Sequence, residues 1–68
     1  MKLRVRENIA ANRKRIGLSQ SGLARKLGFT PASICHYENG DRLPNIKSVV
    51  KLAKLFKITT DQLIGLTK

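Results

Sequence analysis

Cys35 and His36 are the chain's one cysteine and one histidine, and they are the residues from which thiol or metal chemistry would have to be built. A thiol nucleophile needs a base held against it, and neighbours on a helix do not face each other. A metal centre needs more ligands than one Cys and one His. The carboxylates Glu7, Glu38, Asp41 and Asp61 are scattered, with no pair framing a cleft and no glycine-rich phosphate loop beside them. Cys35 therefore reads as an inert thiol, and no enzyme activity, metal, cofactor or small-molecule substrate is expected. A single cysteine forms no internal disulfide, which suits a reducing cytoplasm.

Charge is the stronger pointer. The 68 residues carry 14 Lys and Arg against 4 Asp and Glu, a formal net charge of +10. Such a charge attracts polyanions, so the candidate partners are nucleic acid, an anionic membrane surface or an acidic protein. The basic start, Met1 to Arg6, is not followed by the apolar run of a signal peptide, and no stretch is apolar enough to span a bilayer. The expectation is one cytoplasmic domain over 1–68 with no membrane partner.

The spacing in residues 19–40, SQSGLARKLGFTPASICHYENG, is more specific than the composition. Two short helices that cross closely need a small residue inside the first, which Ala24 supplies. The turn between them needs a residue at ease in a left-handed conformation, and Gly28 supplies it four positions later. Ile34 then anchors the second helix, with Leu23, Leu27 and Tyr37 filling the space between.

Five helices are needed to hold this pair. The first spans about Leu3 to Arg15, with Val5, Ile9 and Ile16 inward and Gly17 as its stop. The second spans Ser19 to Leu27. The third is capped by Thr30, carries Pro31 at its first position and closes at Asn39-Gly40. The fourth spans about Asn45 to Phe56, with Ile46, Val49, Ala53 and Phe56 inward. The fifth opens with a Thr59–Gln62 capping box and turns Leu63 and Ile64 to one side. Strand signals are weak, and the fold class is all-α.

The Ala24, Gly28 and Ile34 pattern resembles the helix-turn-helix of the lambda and 434 repressor and Cro (XRE) family. The likeness covers nearly the whole chain. It extends through Gly17-Leu18-Ser19-Gln20, Tyr37-Glu38-Asn39-Gly40, Leu43-Pro44 with Leu52-Ala53-Lys54, and Asp61-Gln62-Leu63-Ile64. It implies a five-helix, lambda-repressor-like domain with the helix-turn-helix at about 19–38. The implied function is sequence-specific binding of double-stranded operator DNA by a transcriptional regulator, a repressor of bacterial or phage origin, working as a homodimer.

By the same resemblance the third helix reads bases through Pro31, Ala32 and His36, with Ser33 beside them. Gln20, Asn39 and Arg42 meet phosphates. Arg13 pairs with Glu38 across two helices, and an exposed pair of that kind would contribute little. Arg13, Lys14 and Arg15 are also phosphate candidates, although cations at a helix C-terminus favour its dipole in any case. Leu63, Ile64 and Leu66 form the expected dimer surface.

Four positions depart from the pattern. Asn12 replaces a common Leu, and Gly22 a common acidic cap residue. Pro31 and Ala32 replace side chains that donate hydrogen bonds to bases. Direct readout then rests on a thymine methyl against Pro31 or Ala32 and on His36 against a purine acceptor, with DNA shape carrying more of the specificity. Lys47, Lys51, Lys54 and Lys57 read as a solvated stripe, with an accessory phosphate track as the alternative. A protein-interaction module, such as an antitoxin binding an acidic toxin, is the competing function. A membrane-surface role would need a wider apolar face and more aromatic anchors than Phe29, Phe56 and Tyr37 offer.

Overall fold

Four of the five helices begin where a side chain caps them. The computed structural model describes residues 4–65, and among these the helices are α1 (Val5–Arg15), α2 (Gln20–Leu27), α3 (Pro31–Asn39), α4 (Ile46–Phe56) and α5 (Thr60–Ile64), with no strand. Ser19, Thr30, Asn45 and Thr59 accept hydrogen bonds from the backbone N–H three residues on. Each satisfies one of the first-turn amides that lack a partner inside the helix. At α5 the cap is reciprocal, because the Gln62 side chain also accepts from the Thr59 N–H at 2.9 Å. α1 has no such cap, and it starts at Val5 rather than near Leu3.

The core is one cluster. Ile9, Leu23, Ile34, Leu52 and Leu63 are wholly buried, and Val5, Ala24, Tyr37, Val49, Ala53 and Phe56 nearly so. α2 packs on α3, α1 on α3, α4 and α5, and α4 on α5. Ala24 at the crossing leaves room for α2 and α3 to approach. Phe29 then meets Tyr37 edge-on, with ring centroids 6.5 Å apart. The two ends of the described chain meet. The Arg4 N–H donates to the Ile64 carbonyl at 2.9 Å, and Asn8 Nδ2 donates to the Gln62 and Leu63 carbonyls.

Three expectations need correction. Ile46, expected inward, is 71% exposed. It lies one turn ahead of Val49, where the apolar face of α4 runs past its neighbours and rims a groove with Val5, Leu43, Pro44 and Ile64. Leu63, expected on a dimer surface, is fully buried in the chain's own core. A five-residue helix has one residue to anchor it there, and Leu63 is that residue. Lys57 does not extend the lysine stripe, because it is the left-handed C-cap of α4 at φ 59°. Lys51 in that stripe lies 5.4 Å from the centre of the Phe29 ring, so it has a cation–π partner. Leu66 lies outside the described residues.

Gly28 sits at φ 72°, and its turn directs the Phe29 N–H onto the Ala24 carbonyl at 2.8 Å. A Cβ built there would meet nothing within 4 Å. The cost of a substitution is therefore conformational rather than steric crowding. Gly28→Val should cost about 1–3 kcal/mol, and Gly28→Ala less, because the β-branched residue fits the left-handed region worst. Thermal melting checks this, at about 4–8 °C per kcal/mol for a domain of this size. A valine variant melting with the parent would show that the turn does not hold this conformation in solution.

Candidate nucleic-acid interface

α3 presents one face to the core and one to solvent. Ile34 and Tyr37 are buried, while Pro31, Ala32 and His36 are exposed and Ser33 is half-buried. Pro31 at the first position starts the helix without sacrificing a needed N–H. The Ser33 hydroxyl lies 2.9 Å from the Thr30 hydroxyl, so at the start of α3 it is already hydrogen-bonded. The candidate reading residues thus share one side of one helix.

Behind them, the helix-turn-helix is fastened to α1 by a charge cluster. Arg13 Nε donates to Glu38 Oε2 at 2.6 Å, and Nη2 donates to Oε1 at 3.1 Å. Nη1 donates to the Leu18 carbonyl at 2.9 Å. The two side chains are 13% and 8% exposed, so this is a buried bidentate pair and not a surface one. Three of the five N–H groups of Arg13 are engaged inside the protein, so its first role in the fold is to hold Glu38 and the Leu18 carbonyl. Arg15 is exposed but also engaged within the chain. Its Nη2 donates to the Phe56 carbonyl at 2.8 Å, tying α1 to the end of α4.

The other phosphate candidates lie at the ends of α2 and α3. Gln20 Nε2 donates to Glu38 Oε1 at 3.2 Å, while its backbone N–H occupies the first position of α2, where no intrahelical acceptor exists. Asn39 Nδ2 turns back onto Cys35 Sγ at 3.3 Å, and Arg6 Nη1 reaches the Asn39 carbonyl at 3.5 Å. Arg42 is exposed, in the loop after α3. The interaction of Arg6 with the end of α3 was not legible in the sequence, because no local pattern links positions 33 residues apart.

Asp41 was legible but unread. Gly40, at φ 84°, turns the chain back on itself, so that the Asp41 and Arg42 N–H groups donate to the His36 carbonyl at 3.0 and 3.4 Å. The Asp41 carboxylate then lies 3.4 Å from His36 Nδ1. A carboxylate just past a glycine C-cap, five residues after a histidine, is the sequence signal for that contact.

The acidic side chains are largely spoken for. Glu7 is paired with Arg6 at 2.9 Å, and its carboxyl is held below the usual range, first by that hydrogen bond and next by one from its own backbone. Glu38 is neutralised by Arg13, and Asp61 lies in the first turn of α5, where a negative charge favours the dipole. The exposed surface is left strongly basic. Among the described residues no group of three or more His, Cys, Asp or Glu could hold a metal ion, and no helix is long and apolar enough to cross a membrane.

Comparison with known proteins agrees with this geometry. Residues 9–63 match the model of a family described as helix-turn-helix. The chain is 33% identical over 63 residues to the cryptic phage CTXphi transcriptional repressor RstR of Vibrio cholerae, covering 93% of this chain and 56% of that one. It is 33% identical over 58 residues to the uncharacterized HTH-type transcriptional regulator YqaE of Bacillus subtilis, covering 85% and 50%. The chain thus spans about half the length of the curated relatives it matches. A transcriptional regulator from Listeria innocua superposes with a TM-score of 0.91 at 25% identity, over all of this chain and 64% of that one. The P22 c2 repressor, solved in complex with synthetic operator 9T in the presence of Tl+, superposes with a TM-score of 0.84 at 26% identity, over 94% and 96%. With its family model covering most of the sequence and its five helices matching both solved regulators, this chain belongs to the helix-turn-helix family and has the lambda-repressor-like fold.

Proposed function

We propose that this chain is the operator-binding domain of a cytoplasmic transcriptional repressor, of bacterial or phage origin, with no enzymatic activity of its own. The observation that carries the reading is the match over nearly full length to a repressor solved on operator DNA, combined with the solvent-facing side of α3. On this reading α3 enters the major groove, where Pro31 and Ala32 meet thymine methyl groups and His36 meets a base edge. The Gln20 backbone N–H, Asn39 and Arg42 grip phosphates on either side. The gene is repressed because an occupied operator excludes polymerase.

The partner on DNA is a second copy. A single small domain buries too little surface for tight specific binding, and dimerisation doubles it. With Leu63 buried in the core, the surface for that contact is the groove between Leu43, Pro44, Ile46 and Ile64, where Leu43 is 64% and Ile46 71% exposed. Two-fold symmetry then sets half-site centres about 34 Å apart, one turn of duplex.

Selection of binding sites from random duplex DNA, followed by salt titration of the winner and of random duplex, tests this. Arg42→Ala should weaken both DNAs by similar factors and lower the salt slope by about one contact. His36→Ala should weaken the selected operator by about 1–3 kcal/mol and leave random duplex nearly unchanged. Binding with no salt dependence, or selection that returns no sequence, would remove the reading.

A further inference from the structure

The geometry points to Asp41 as a residue that sets what His36 reads: by accepting from Nδ1–H, it leaves Nε2 to face the base, as an acceptor when the ring is neutral and a donor when it is protonated. This rests on the proposal that α3 reads DNA. Its basis is the Gly40 turn, which fixes Asp41 through two backbone hydrogen bonds to the His36 carbonyl and brings the carboxylate to within 3.4 Å of Nδ1. A carboxylate has no proton to give at neutral pH, so the nitrogen facing it carries the hydrogen. Nε2 has no hydrogen-bond partner among the described residues. Asp41 is the charged side chain within hydrogen-bonding distance of the ring, and no charged group from α1, α2, α4 or α5 is hydrogen-bonded to it.

The consequence is a choice of base. Neutral His36 with Nδ1–H presents a lone pair at Nε2, which matches the amino groups of adenine N6 and cytosine N4 in the major groove. Protonated His36 presents Nε2–H, which matches guanine N7 and O6. The purine-acceptor contact expected from the sequence therefore belongs to the protonated ring alone. Asp41 is a positioning residue here, and it touches no DNA in this scheme.

His36 is the chain's only histidine, so its ring nitrogens can be followed without ambiguity by 15N NMR. In the free protein the neutral ring should be in the Nδ1–H form. Asp41→Asn, whose side-chain amide can donate to Nδ1, should shift it toward Nε2–H. On DNA, a panel of operators with each base pair at the position read by His36 should favour an amino-bearing base while the 15N spectrum shows the ring neutral and guanine once it shows the ring protonated, with each preference about tenfold. Asp41→Asn should favour guanine in both states, and Asp41→Ala should lose the neutral-ring preference while retaining binding to random duplex. A ring in the Nε2–H form in the free protein, or one base preference in both states, overturns the assignment and leaves DNA binding standing. Absence of binding to any duplex overturns both the assignment and the reading of α3.

Discussion

Replacing Glu38 by alanine should cost about 3–5 kcal/mol of folding stability, because it leaves the Arg13 guanidinium buried without its carboxylate. A chain of 68 residues has on the order of 3–10 kcal/mol in total, so the variant should be partly unfolded near room temperature. Gln20 loses its acceptor as well, and with it the contact that ties the start of α2 to α3. Arg13→Met combined with Glu38→Leu should recover much of the loss, since two apolar groups of similar volume need no partner charges. Urea unfolding of the parent, Arg13→Met, Glu38→Leu and the double variant closes a double-mutant cycle, and the coupling should lie well above the 1 kcal/mol or so typical of an exposed pair. A coupling near zero would show that water reaches the pair in solution.

Leu63→Ala should be the second large effect, at about 2–5 kcal/mol. The side chain is wholly enclosed, and α5 is too short to stay in place by its own hydrogen bonds. The loss should appear as a lower melting temperature that does not depend on protein concentration. That independence separates the core from an interface, where loss of an apolar contact would show as a weaker dimer and a melting point that rises with concentration. Ile64→Ala, at the groove, should show the second behaviour if copies meet there. Leu63→Ala melting with the parent would mean that α5 is not docked as described.

Periodicity and capping made the five helices legible, because those signals are local. Thr30-Pro31, Thr59 with Gln62, and Gly28 each announce a helix boundary through backbone chemistry that depends on a few residues. The same logic failed at Ile46, which shares a helical phase with Val49 but lies beyond the neighbours that would bury it. It failed at Leu63 for the opposite reason: the sequence shows that a residue is apolar, and only the docking of α5 on α1 and α4 decides whether it faces the core. At the candidate interface, the set Pro31, Ala32 and His36 followed from the resemblance to the repressor family, and all three are exposed. The Arg13–Glu38 pair followed from the same resemblance, but its burial and the third bond of Arg13 to the Leu18 carbonyl did not, because no local pattern shows how deep a charge pair lies.

The hydrogen bond between the Arg4 amide and the Ile64 carbonyl, with Asn8 reaching the last turn of α5, brings the first and last described helices side by side. Where two such helices meet, the order of the helices along the chain is separable from their arrangement in space. A short linker joining residues near 4 and 65, with the chain opened in the exposed stretch 41–43, would leave each helix beside the same neighbours. Closure of α1 onto α5 would then span a few residues instead of nearly the whole sequence, lowering its loop entropy by about 1–2 kcal/mol. The break would fall between the helix-turn-helix and α4, so the α2–α3 pair, its Arg13–Glu38 fastening and the exposed side of α3 would remain on one continuous segment of a circularly permuted chain.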